Sequence, residues 1–216
     1  MPSRSVVIVE DDPMTRGILA ELLEAAGFRV ATASNGSDAR RLCSMLDPDA
    51  VIMDIDLGVG PTGFDVAEAL LVESPHLNFL FLTNLPDPRF AGHNSNSVPT
   101  GSAYLRKERL AQPGLLVETL DTVLRGQVSR RERDDLKDDR PFQTLTTNQL
   151  EVLRMVALGL SNQQIAERRG TSVRAVQIMM VRIFEALELA DDSDASARVS
   201  AARNYISKAG LPLADS

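Results

Sequence analysis

A single cysteine among 216 residues leaves no internal disulfide to be made, and Cys43, set in ARRLCSML, reads as a buried or half-buried helical position rather than a nucleophile. The two histidines, His76 and His93, stand alone, so the sequence holds no Cys/His cluster of the kind that binds a structural zinc. No apolar run approaches the roughly 20 residues that cross a bilayer. The opening MPSRSVVIVEDD places acids where a secretion signal would continue its apolar core, so a cytoplasmic protein with no membrane partner is expected. Internal repeats and low-complexity tracts are missing as well. What remains, 44% hydrophobic and 25% charged residues, is ordinary globular composition, and the length suits two small domains that each bury a core.

A general basic excess is also lacking, and the net charge of -7 is unevenly spread. Residues 1–124 hold 9 Lys/Arg against 17 Asp/Glu, residues 125–140 hold 6 against 5, and residues 141–216 hold 8 against 8. The acidity therefore belongs to the first half. A nucleic-acid partner would have to bind the neutral second half through locally clustered arginines.

The chain opens with a buried strand, Val6-Val7-Ile8-Val9, broken by acids and followed by Pro13 at a helix start. Met14, Ile18, Leu22 and Leu23 then recur at helical spacing until Gly27. A strand at 29–33, a helix around 37–46, and the strand Ala50 to Met53 ending in Asp54 follow. A glycine-rich loop from Gly58 to Gly63 precedes a helix near 64–72. Further strands run from Asn78 to Leu82, ending at Thr83, and over Ala103-Tyr104-Leu105, ending at Lys107. Strands alternating with helices imply a doubly wound parallel sheet of five strands. Residues 85–102 carry Pro86, Pro88, Gly92, Asn94, Pro99 and Gly101, so little regular helix is expected there, and the stretch is predicted to be the most mobile of its domain. Apolar spacing returns from Leu115 to Leu124 and closes a first domain, 1–124. Residues 125–143, with both charge signs and almost no apolar content, read as a linker or an exposed helical extension.

In an open parallel sheet, functional groups collect at the carboxyl ends of the strands. Glu10 and Asp11 follow the first strand, Asp54 ends the third, Thr83 ends the fourth and Lys107 follows the fifth. The fold thus brings three carboxylates, a hydroxyl and an ammonium together from positions nearly 100 residues apart. Crowded carboxylates repel unless a cation sits among them, and hard oxygen ligands suit Mg²⁺. Asp54 is then the nucleophile for a phosphoryl group, with Lys107 and Thr83 placed to contact its oxygens.

Through VVIVEDDP, VIMDIDL, FLTN and YLRK, the first 124 residues resemble the receiver domain of two-component response regulators, a flavodoxin/CheY-like fold. The resemblance implies that Glu10 and Asp11 are the acid pair, Asp54 the phosphoacceptor, Thr83 the switch hydroxyl, Tyr104 the switch aromatic and Lys107 the phosphate lysine. Asp56 would lend a backbone carbonyl to the metal. Three features depart from that pattern: Asn84 in place of a small residue beside the threonine, the longer GVGPTG loop, and the irregular 85–102 segment where a regular helix is usual. Phosphatases with an aspartyl nucleophile also carry a DxD, but they need a further acidic pair late in the domain, which this sequence does not supply. No turnover enzyme is expected beyond the receiver's own phosphoryl transfer and dephosphorylation.

Residues 144–216 read as a small all-α domain. Leu150, Leu153 and Val156 mark one helix, ended by Gly159. Asn162 to Arg168 form a second, and Gly170 and Ser172 turn and cap into a third. In that third helix Val176, Met180, Ile183 and Leu187 share the core face, and Met179 with Met180 fills it, giving a helix-turn-helix pattern. A fourth helix is expected after Ser193. Through LTTNQLEVL and GLSNQQIA the region resembles the LuxR/NarL class of DNA-binding domains. That resemblance places the third helix in the major groove of double-stranded DNA, with Ser172, Arg174, Gln177, Ile178 and Arg182 as contacts and a homodimer as the active form. A sensor histidine kinase would be the phosphoryl donor. Two alternatives stay open: a receiver that is constitutive or inhibitory, and an output domain turned into a protein-interaction module that no longer binds DNA specifically, as its neutral charge and the apolar pair Ile178 and Val181 would allow.

Overall fold

A computed structural model describes residues 4–94, 96–112, 114–189, 194–210 and 212. They group into two units, one of residues 1–84 and 96–137, the other of residues 85–95 and 138–216.

The first unit is built on five parallel strands, β1 (Ser5–Val9), β2 (Arg29–Ala33), β3 (Ala50–Met53), β4 (Asn78–Thr83) and β5 (Ala103–Arg106), in the order β2-β1-β3-β4-β5. β1, β3 and β4 are apolar at nearly every position because helices cover both faces of the sheet. On one face Val6, Ile8, Ile52, Leu80, Leu82 and Leu105 pack with Leu19 and Leu23 of α1 (Pro13–Ala25) and Leu116, Leu120 and Val123 of α4 (Leu115–Leu124). α2 (Gly36–Leu46) packs against β1 and β2 and against α3 (Gly63–Glu73), and the Phe64 ring of α3 lies 4.8 Å from Phe81 of β4. Side-chain caps from Asp12, Asn35 and Thr62 start α1, α2 and α3.

Two sequence-based expectations change here. The helical spacing of Met14, Ile18 and Leu22 gives the helix but not its buried side: those three are exposed, and Leu19 and Leu23, four residues apart, face the sheet. Part of the expected linker is ordered and holds two buried acids, although Ser129, Arg130, Arg131 and Lys137 are exposed. Its residues 129–137 form two short 3-10 helices, with a parallel bridge from Arg133 to Tyr104 of β5. Asp134 is buried, accepting from the Arg106 amide at 2.9 Å and from Arg109 at 2.6 Å, with Lys137 at 2.7 Å. Asp135, also buried, takes both hydrogen bonds of the Arg133 fork. Mixed charge reads as solvated in a composition, but these acids and bases satisfy one another.

The second unit is all-helical: α5 (Thr147–Ala157), α6 (Asn162–Arg168), α7 (Val173–Ala186) and α8 (Asp194–Ala209). Capping boxes Thr146/Gln149 and Ser161/Gln164 start α5 and α6. Leu150, Val152, Leu153 and Val156 form its core with Ile165, Val176, Met180, Ile183, Phe184, Ala201 and Tyr205, and Met179 packs half-buried against them. Phe90, buried, and Leu85, half-buried, belong to this core. The described residues of 85–102 hold a 3-10 helix, Pro88–Ala91, and no α-helix, in keeping with their composition. Within that stretch Pro86 through Phe90 are buried, and the Phe90 ring sits 5.5 Å from Tyr205 and 6.0 Å from Phe142.

Candidate functional site

The parallel register decides which side chains meet. Val9 lies opposite Met53, and Met53 opposite Phe81, so β1, β3 and β4 release Glu10, Asp54 and Thr83 at one edge of the sheet, where β5 delivers Lys107. Glu10, Asp11 and Asp54 each place a carboxylate oxygen within 4.8 Å of the others. Glu10 and Asp54 are buried and Asp11 is exposed. The Lys107 ammonium stands 2.7 Å from Asp54 Oδ2 and 2.7 Å from Glu10 Oε2. The Asp56 amide donates to Asp54 Oδ1 at 3.3 Å, while the Asp56 side chain points outward and is exposed. Thr83 and Tyr104 are fully buried, and Asn84 is exposed.

Burial and the neighbouring Asp54 push the Glu10 carboxyl up to about 7, against the pull of Lys107. Burial likewise raises Asp54, with Lys107 opposing it. Burial alone would lower Lys107, but the Asp54 and Glu10 carboxylates outweigh it and hold the ammonium above the ordinary lysine range. With all three carboxylates ionised, the one ammonium leaves the pocket two positive charges short. That deficit, together with clustered hard oxygen donors, fits a divalent cation.

Two residues that the sequence reading passed over position this pocket. Arg16, on α1, donates to the Glu10 carbonyl at 2.6 Å and the Asp11 carbonyl at 3.1 Å, fixing the turn that carries the acid pair. Gly63, the first residue of α3, donates to the Ile55 carbonyl at 2.8 Å, and a methyl group built on it would overlap the Asp54 carbonyl oxygen. Its place in a glycine-rich loop was visible, but the close approach was not.

In the second unit Ser172 caps α7, accepting from the Ala175 amide at 3.1 Å. Val176, Met180 and Ile183 face inward as their spacing predicts, and Phe184 joins them. Arg174, Gln177, Ile178, Val181, Arg182 and Glu185 all lie exposed on the outer side.

A parallel α/β unit with an acid pocket at its strand ends, followed by a helix-turn-helix unit, defines a class of phosphorylation-dependent regulators. Comparison with known proteins agrees. The response regulator receiver domain matches residues 6–95, and the luxR family of bacterial regulatory proteins matches residues 143–199. The transcriptional regulatory protein LiaR of Bacillus subtilis is 27% identical over 209 residues, which cover 93% of this chain and 98% of LiaR. The oxygen regulatory protein NreC of Staphylococcus haemolyticus is 27% identical over 201 residues, 85% of this chain and 91% of NreC. RcsB of Salmonella enterica serovar Typhimurium, solved on the promoter rprA with the phosphomimetic BeF3-, shares the fold over 93% of this chain and 98% of its own, with a TM-score of 0.59 at 17% identity. This chain belongs to the two-component response regulators, with a receiver domain and a LuxR-type DNA-binding helix-turn-helix domain. Among the described residues no helix is long and apolar enough to cross a membrane.

Proposed function

We propose that this response regulator, in the cytoplasm, takes a phosphoryl group on Asp54 from a sensor histidine kinase and in that state binds double-stranded DNA as a homodimer through α7. The observation that carries the receiver half is the Lys107 ammonium held 2.7 Å from both Asp54 and Glu10 beside Asp11. An Asp54 carboxylate oxygen attacks phosphorus, the bond from phosphorus to the donor imidazole nitrogen breaks, and that nitrogen regains a proton from solvent. Glu10, Asp11, Asp54 and the Asp56 carbonyl would hold Mg²⁺, which supplies neutralisation of charge on the moving phosphoryl group. Lys107 and the Thr83 hydroxyl take phosphoryl oxygens afterwards, and the buried Tyr104 ring follows Thr83. On α7, Arg174 and Arg182 contact phosphates or guanine, Gln177 reads adenine, Ile178 meets a thymine methyl and Ser172 approaches the backbone.

A small phosphoryl donor with Mg²⁺ should add about 80 Da to the intact mass, one phosphoryl group, and Asp54→Asn should abolish the addition. Persistence of the adduct in that variant refutes the assignment. The DNA half is tested by selection from a genomic library at low salt. Arg182→Ala should lower affinity by ~1–3 kcal/mol if it reads a base, or reduce the salt slope by about 1 if it meets a phosphate. One observation favours a protein-interaction output instead: Val173, Ile178 and Val181 are 39%, 48% and 55% exposed on that same face. On that reading no DNA sequence is enriched, and Ile178→Asp abolishes capture of a protein partner.

A further inference from the structure

The chain from Pro86 to Phe90 is buried, and the long-range partners of Arg89 and Phe90 lie in the helical unit. The Arg89 guanidinium donates to Leu145 O at 2.7 Å, to Phe142 O at 3.1 Å and to Pro141 O at 3.4 Å, capping the turn that leads into Thr146 at the start of α5. Asp87, fully buried, neutralises it through bonds of 2.9 and 2.7 Å from Nε and Nη2. Phe90 fills the space between Phe142 and Tyr205, joining the cluster that includes Leu150 and Leu153 of α5 and Ala201 of α8. A guanidinium saturated by one carboxylate and three carbonyls is a structural clamp, not a surface charge.

This clamp follows Thr83 almost at once. Only Asn84, Leu85 and Pro86 separate Thr83 from Asp87, a span of at most about 14 Å when fully extended. Pro86 fixes one of the backbone angles between Thr83 and Asp87, and Pro88 fixes another between Asp87 and Arg89, which leaves little slack. A displacement of Thr83 therefore reaches Asp87 and Arg89 through the covalent chain.

We propose that residues 85–95 are a relay grafted into the output domain: they complete its core around Phe90 and Arg89, and movement of Thr83 toward a phosphoryl group on Asp54 draws them out and loosens α5 and α8. The loosening rests on the phosphoacceptor reading above, whereas the graft does not. The output unit then exists in a tight and a loose form, and the receiver biases the two.

Hydrogen exchange on the full chain, with and without beryllofluoride and Mg²⁺, tests both parts. Phe90→Ala should speed exchange in α5 and α8 by ~10-fold or more while β1, β3 and β4 keep their protection. Loss of protection in the sheet instead, with α5 and α8 unchanged, overturns the graft. If Phe90→Ala fails to fold, Phe90→Leu and Arg89→Lys supply the same comparison at lower cost to the core. With beryllofluoride, exchange should accelerate by ~5-fold or more in residues 84–92, α5 and α8 of the wild type, and Arg89→Lys should blunt that response while residues 51–57 and 103–107 still respond. A response confined to residues 51–57 and 103–107 overturns the relay and leaves the phosphoacceptor reading standing. No response at residues 51–57 either overturns that reading, and the relay with it.

Discussion

Gly63→Ala is the sharpest test of how the pocket is held. The first turn of α3 lies directly on the Asp54–Ile55 peptide: a Cβ on Gly63 would overlap the Asp54 carbonyl oxygen and stand 2.9 Å from both the Asp54 carbonyl carbon and Ile55 Cα. Backbone atoms cannot swing aside as a side-chain terminus does, so something must move by well over ~1 Å to reach ordinary contact. α3 cannot retreat easily. Its N-terminus is fixed by the Thr62/Asp65 capping box, Phe64, Val66, Ala67 and Leu70 are buried, and the Phe64 ring lies against Phe81 of β4. The Asp54 peptide is what yields. Overpacking of this kind costs ~1–3 kcal/mol, read as a lower urea midpoint at unchanged m. A shift of about 1 Å at a nucleophile can slow transfer by about a hundredfold, read as the rate of phosphoryl uptake from a small donor. Gly17→Ala is the control, because it lies in α1 with no atom within 4 Å of a new Cβ, and it should stabilise the protein by ~0.5–1 kcal/mol. Should Gly63→Ala lose less than about 0.5 kcal/mol and transfer within about threefold of wild type, the close approach does not hold the pocket.

Lys107→Met strips the buried Glu10 and Asp54 of their ammonium and should destabilise the cation-free protein by ~3–5 kcal/mol, with Mg²⁺ recovering part of the loss; thermal melts in chelator and in Mg²⁺ that superimpose would contradict this. Asp134→Ala removes the acceptor shared by the Arg106 amide, Arg109 and Lys137, and should turn residues 129–137 into a trypsin-sensitive loop cut at Arg130, Arg131 or Arg133. An unchanged digestion pattern counts against docking of that segment. Burial, with a smaller push from Glu73, raises the Cys43 thiol to about 11, so at pH 8 only about one thiol in a thousand is thiolate. Alkylation in the native protein should therefore be slow and should become fast only on unfolding.

The receiver was legible because its information is local: Glu10, Asp54 and Thr83 sit where an apolar run meets a polar residue, and Lys107 lies one residue past such a boundary, after Arg106. α7 was legible for a similar reason, since Val176, Met180 and Ile183 keep helical spacing and Ser172 announces the cap. Spacing was less reliable on α1, whose two sides both carry apolar residues. There the choice between Ile18 and Leu19 is made by where β1 and β2 lie, which is a tertiary fact. Arg16 and Gly63 were out of reach because each acts on a backbone carbonyl, and carbonyls leave no mark in a sequence.

Residues 85–102 and 125–143 each hold buried groups that composition does not announce, for reasons that share one cause. Proline, glycine and asparagine suggest mobility in residues 85–102, and mixed charge suggests a solvated chain in residues 125–143, since composition measures what a segment offers to water. Neither measure sees a partner brought from far along the chain. Arg89 finds carbonyls 52 to 56 residues away, and Asp134 finds Arg109 25 residues away. The consequence is topological: the chain passes between the two units after residues 84, 95 and 137, not once. A cut that follows the sequence boundary, leaving residues 144–216 alone, takes Phe90 and Arg89 from the core they complete. Where a helix-turn-helix module depends in this way on residues that precede β5, control of its fold and control by its receiver become one equilibrium.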